Sequence, residues 1–154
     1  MAASAWRAYR EFKTALGLKL INLETDTIKC ALFLSTSNCG DVALATAQYA
    51  TLTAQHANQG APGYVTGGQT AATTCTGSGG TTTFDVTDNP VWTATGGSIT
   101  ARFAVLYSDT AINKDLIAYC LLDATPADVT ATVSNTFTIT IHTSGALTIA
   151  GAEA

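Results

Sequence analysis

The sequence predicts a mainly β chain, an antiparallel β-sandwich or barrel preceded by one short α-helix. Three observations carry this. Apolar residues alternate with polar ones over many short runs, the period of a half-buried strand. Turn signals rich in Gly, Asn, Asp and Pro separate those runs, which favours antiparallel neighbours over long crossovers. Thr is abundant while charged residues make up only 12%, a composition that suits pleated, half-wet surfaces. A chain of 154 residues fits one core without a disulfide or metal staple.

Residues 4–16 read as the helix. Ser4 is placed to cap it, and Gly17 to end it. Trp6, Tyr9, Phe12 and Leu16 fall on one face, while Arg7, Arg10, Glu11 and Lys13 take the others. The division is residues 1–17 as an N-terminal helix or arm and 18–154 as the β domain. The arm's aromatic face either packs on its own domain or docks on a neighbour. Because the strand-rich body has enough alternating faces for a two-layer core, the helix is expected to serve assembly more than folding.

A short strand is expected over 18–23 and a turn at Glu24-Thr25-Asp26. A strand over 27–34 follows, with Ile28, Cys30, Leu32 and Leu34 sharing a face. Residues 35–41 read as loop, 42–58 as ambiguous with one or two helical turns, and 59–68 as too Gly-rich for regular structure. Runs 69–76 and 81–86 suggest a hairpin with a long tip at 77–80. Asp88-Asn89-Pro90 is a turn, and Gly96-Gly97 matches a hairpin loop joining strands 91–95 and 98–107. Residues 116–122 form a nearly continuous apolar run, as in a central strand covered on both faces. Residues 135–142 alternate, with Phe137, Ile139 and Ile141 inward. Ser144-Gly145 then turns the chain into a last strand over 146–149.

The chemistry-bearing residues do not converge. His56 and His142 are the two histidines. Asp85, Asp88, Asp109 and Asp123 lie at strand ends, where Asp commonly makes a turn. No nucleophile elbow, phosphate-binding Gly loop or calcium-loop spacing occurs. The reading is a non-enzyme with no catalytic, cofactor-binding or metal site. The cysteines Cys30, Cys39, Cys75 and Cys120 include no CxxC, and in a reducing compartment they are expected as free thiols. Seven basic residues against a net charge of −4 do not suit phosphate neutralisation, so nucleic acid is not the expected partner. No run approaches the about 20 apolar residues of a membrane helix, and the charged start does not resemble a signal peptide. Synthesis in a cytoplasm is expected. Arg102, the one charge inside the strongest strand, is expected to pair with an acid such as Asp115 or Asp123.

Three stretches stand out together: LGLKLINLETDTIKCALFLS (16–35), VWTATGGSITARFAVLYSDT (91–110) and KDLIAYCLLD (114–123), followed by NTFTITIHTSGALTI. Their order resembles a family of small structural proteins of tailed bacteriophages. The motif matches are Thr25-Asp26-Thr27-Ile28-Lys29, Ser98-Ile99-Thr100-Ala101-Arg102 and Leu116-Ile117-Ala118-Tyr119. The chain departs from the pattern at Cys30 and Cys120, and at Leu121-Leu122-Asp123 where Phe-Gly often follows. The resemblance implies a virion protein with an antiparallel β-sandwich or jelly-roll-like domain, assembled in the host cytoplasm. A capsid decoration (cement) protein comes first, a tail or head-fibre component second, and a receptor- or glycan-binding adhesin third. The implied partners are further copies of the chain, as a homotrimer, and the major capsid protein. Trp6, Tyr9, Phe12 and Leu16 are the interface candidates.

Overall fold

The computed structural model describes residues 4–60, 63–123 and 128–150. Twelve short strands and one helix follow in order: β1 Arg7–Ala8, α1 Arg10–Gly17, β2 Ile28–Phe33, β3 Gln69–Thr70, β4 Thr73–Ser78, β5 Thr81–Val86 and β6 Val91–Thr93. Then come β7 Ile99–Ala101, β8 Phe103–Ser108, β9 Leu116–Leu121, β10 Val129–Ala131, β11 Thr136–Thr138 and β12 Leu147–Ala150. The protein is a mainly β domain with one short helix and several antiparallel sheets, none closed into a single barrel or sandwich. A five-stranded sheet runs β1-β9-β8-β2-β3, a three-stranded sheet runs β12-β5-β4, and β10-β7 and β11-β6 form pairs.

The three motif stretches become the middle of the large sheet. Ala31 lies opposite Val105, and Val105 opposite Tyr119, while Leu32 lies opposite Ala104 and Ala104 opposite Cys120. Both faces of β2, β8 and β9 are covered, since neighbouring residues Ala31, Leu32 and Phe33 are all buried, as are Ala104 to Ser108 and Leu116 to Cys120. The central-strand expectation for 116–122 therefore holds, and β2 extends it: the Ala31 and Phe33 face is buried as well as the Cys30 and Leu32 face. One face receives Tyr49, stacked on Tyr107 at 4.4 Å between ring centroids, and Tyr9, 5.6 Å from Tyr119. Tyr64, Phe84, Trp92, Ile99 and Phe137 come from the smaller sheets and loops and join the same core.

Several local expectations are corrected. The helix begins at Arg10, not at residue 4, with Tyr9 as its N-cap. The free edge of β9 offers the preceding amides better partners than a helix would. Ser4 N–H donates to Leu121 O, Leu121 N–H donates to Ser4 Oγ, and Arg7 and Ala8 pair with Tyr119 and Ala118. Residues 18–23 make a turn instead of a strand: Leu18 N–H and Leu20 N–H close on Thr14 O and Ala15 O. The 42–58 region does hold one helical turn, a 3-10 turn at Tyr49–Thr51. The β4–β5 tip is tight, because Gly79 and Gly80 both adopt positive φ, the backbone a two-residue hairpin turn requires. Gly96-Gly97 does not join a hairpin: β6 pairs with β11, and β7 with β10. The expected strand 98–107 breaks at Arg102, where the chain passes from one sheet to another. The alternation over 135–142 yields a strand only at Thr136–Thr138, although Phe137 and Ile139 are buried.

Candidate functional site

The N-terminal segment is built onto the edge of the large sheet. Tyr9 and Phe12 are each 1% exposed, so the chain's own core takes both. Tyr9 N–H donates to Ile117 O, and its hydroxyl donates to Cys39 O at 2.6 Å. Burial, with help from nearby Cys39, pushes its phenol above the usual range. The residues that read as an arm in the sequence share the core of the body. Trp6 and Leu16 differ from their two companions: both are half-buried, and each borders an open groove. Trp6 lines one of about 510 Å³ with Ile141, His142 and Ala146. Leu16 lines another of about 620 Å³ with Ile21, Leu23, Cys75 and Ile149. The four interface candidates thus divide into two that hold the fold and two that can meet a partner.

A polar knot closes one end of the large sheet and joins the three motif stretches. Ser108, fully buried, donates to Asp26 Oδ2 at 2.8 Å and accepts from Ala111 N–H. Thr27 N–H donates to Thr110 Oγ1, and Asp109 N–H to Thr27 O. Asp109 bridges Lys29 at 2.9 Å and Lys114 at 2.5 Å. Hydrogen bonds from those two ammonium groups hold its carboxyl below the usual carboxylate value. Lys29 and Lys114 share Asp109, Asp26 accepts from Ser108 Oγ and Asn22 N–H, and the residues lock the β2 entry to the β8 exit. The chemistry is that of a clasp.

The remaining candidates are dispersed. His142 is exposed, and its Nδ1 accepts from Ser144 N–H to close a turn. Asp85 lies on β5, Asp88 beyond it and Asp109 in the knot. Asp115 opens β9 beside Ser108. Arg102 lies at the other end of that pairing, where Leu122 N–H donates to its carbonyl, so register excludes Asp115 as its partner and leaves Asp123 close in sequence to its position. Among the described residues, no group of three or more His, Cys, Asp or Glu could hold a metal ion, and no helix is long and apolar enough to cross a membrane.

His56 is buried, with its ring edge-on to Tyr64 at 5.1 Å and its Nε2 without a hydrogen-bond partner. Burial lowers its pKa below 6.5 against a smaller opposing effect of the Thr100 backbone. The unfolded chain therefore takes up this proton first as pH falls. The stability tied to neutral His56 is present above about pH 6.5 and is lost below it, until the folded form also protonates. Thermal melts between pH 7 and 5 should show a falling Tm, and His56→Phe should flatten that fall. An equal slope in the variant would remove His56 as its source.

All four thiols are free. Cys30, Cys39 and Cys120 are fully buried, and Cys75 is half-exposed. Burial pushes Cys30 and Cys39 up to about 12 and also raises Cys120. Because the thiolate is the reactive form, a chromogenic disulfide reagent should modify Cys75 alone in the native protein and all four after denaturation. Rapid native modification of Cys30 or Cys120 would contradict the packing of β2 and β9.

One surface property escapes motif reading. From residue 42 to residue 84, and again from 129 to 152, the sequence has no Asp, Glu, Lys or Arg. These segments supply β3, β4, β10, β11, β12 and the first four residues of β5. On the three-stranded sheet one face carries Thr74, Thr76, Ser78, Thr81, Thr83 and Thr148, with Asp85, whose Oδ1 is buried, as its one charge. A count of charge along the chain was the available signal. Compared with known proteins, the chain matches no protein-family model, no curated protein and no solved structure.

Proposed function

We propose that this chain is a non-catalytic virion structural protein, a capsid decoration protein that binds the phage head shell, with a tail or head-fibre component as the second reading. The observation that carries it is the charge-free, Thr-rich half of the molecule. Burying such a surface against a neighbour desolvates almost no ions, whereas a freely soluble enzyme gains nothing from it. The stretches that resemble phage structural proteins also lie side by side as β2, β8 and β9, which fits a shared scaffold. We read the layers as sandwich-like, with β4, β5 and β12 as a second sheet whose Phe84 and Val86 enter the common core. Self-association into a homotrimer and attachment to the major capsid protein belong to the same reading.

The test is cryo-electron microscopy of particles produced from the genome that encodes the chain. Many symmetry-related copies on the head surface are expected. Copies confined to a tail or fibre would select the second reading, and particles lacking the chain would end both. At the level of residues, Trp6→Ala with Leu16→Ala should leave the melt within about 1–2 kcal/mol of the parent, since both are half-exposed. The same pair should reduce the copies retained on the shell. Full retention would move the contact onto the sheet faces.

A further inference from the structure

We propose that two copies of this chain pair through β4, edge to edge and antiparallel about a two-fold axis, joining their three-stranded sheets into one of six strands. β4 is the outermost strand of its sheet, and among the described residues no strand pairs with its other side. Its six residues are long for an exposed edge, and none of the usual guards is present. It has no Pro, no Lys, no inward charge and no bulge in its pairing with β5; edges left this way are templates for another strand. Thr87 N–H donates to Ala72 O, so by alternation the even-numbered residues of β4 bond to β5. The amides and carbonyls of Thr73, Cys75 and Gly77 then point to the open side.

The sequence of this edge complements itself. In an isologous contact, residues directly opposite must lie on the same sheet face, which restricts the register to steps of two. The register centred on Cys75 uses the whole strand. It sets Thr73 against Gly77 of the second copy, Thr74 against Thr76, and Cys75 against Cys75. A β-branched residue meets a glycine, and hydroxyl meets hydroxyl. The fold already uses this last pairing at Thr100 and Thr130, whose oxygens lie 3.1 Å apart across β7 and β10. No charge is desolvated anywhere along the strand. Cys75 also borders the open groove beside Leu23 and Ile149, which leaves space next to it for the same residue of a second copy. A single strand pair is a modest contact. It becomes consequential where copies are held close together, since tethering raises effective concentration to about millimolar.

Cys75 reports on the contact directly. Opposed residues of an antiparallel pair have Cα atoms about 5.5 Å apart, within disulfide range. The native full-length chain at about millimolar concentration is treated with diamide, a diazene that takes up two thiol hydrogens for each disulfide formed. The expected product is a covalent dimer linked Cys75 to Cys75 by peptide mass mapping, absent in Cys75→Ser. T74K with T76K sets like charges opposite each other in this register and should slow crosslinking about tenfold or more. The same substitutions move the net charge of −4 toward zero, so general repulsion between chains would act the other way. T81K with T148K, on the same face but away from the edge, should crosslink as the parent does. No dimer in the parent, or a rate unchanged by T74K with T76K, overturns the proposal. Purified chain alone is used, so the outcome is independent of the shell-binding reading.

Discussion

Phe12→Ala is expected to cost about 3–5 kcal/mol of folding stability, the usual range for deleting a buried aromatic. For a domain of this size that corresponds to a fall in Tm of roughly 6–20 °C. Phe12 is 1% exposed and sits where α1 meets β9, and its neighbour Tyr9 contributes a buried hydroxyl bond to Cys39 O. The exposed Arg10→Ala and Lys13→Ala on the same helix should stay within about 0.5 kcal/mol. Deleting residues 1–15 removes Phe12, Tyr9 and the strand that covers the β9 edge, so the truncated chain should lose its cooperative melt. The sequence alone suggests the opposite, a dispensable arm. A truncated chain that melts cooperatively near the parent Tm would restore that view and return Tyr9 and Phe12 to the assembly surface.

Gly68→Ala should be at least as damaging, on the order of 3–5 kcal/mol or more. Gly68 has φ +74°, and a Cβ there would lie 1.8 Å from Cys30 O and 2.8 Å from Ala31 Cα. Those are backbone atoms of the central strand β2 and cannot swing aside. The residue must either leave its left-handed conformation or push β3 off the sheet. Gly79→Ala provides the contrast. Its φ is +56°, but nothing lies within 4 Å, so only the left-handed strain of about 1–2 kcal/mol applies. Gly17→Ala, with open space and ordinary φ at the end of α1, should be neutral or slightly stabilising. Equal losses at Gly68 and Gly79 in denaturant titrations would show that the close approach to β2 does not matter.

The parts of the fold legible in the sequence are those where local pattern and burial agree. Leu116 to Leu122 is apolar at nearly every position because both faces of β9 are covered. The DTIKCALF run likewise announces β2. The start of the helix was not legible. Tyr9 and Phe12 at a spacing of three fit a helix begun at Ser4 equally well, and only the free edge of β9, more than a hundred residues away, draws residues 4–8 into extended form. The same holds for Gly96-Gly97, where a local hairpin signal yields to pairing of β6 with β11 and β7 with β10. Of the interface candidates, the sequence identifies four apolar residues, but burial alone separates Tyr9 and Phe12 from Trp6 and Leu16. The clasp of Asp26, Ser108 and Asp109 was visible only as two familiar motifs, because its bonds span more than eighty positions.

The strand order of the large sheet also sets a timetable. β1 is synthesised first and, among the described residues, pairs only with β9, and β2 needs β8. On a ribosome adding about 5–20 residues per second, β2 has only the two-residue strand β3 as a partner until β8 follows it by several seconds, and the N-terminal aromatics wait longer still. Throughout that interval most of the apolar strand β2 is unpaired, and contacts of such long sequence separation form slowly even in the finished chain. A chain made this way depends on rapid completion or on a chaperone's shelter. Slow translation of the segment between β2 and β8 would be expected to lower the yield of folded protein more than slowing after β9.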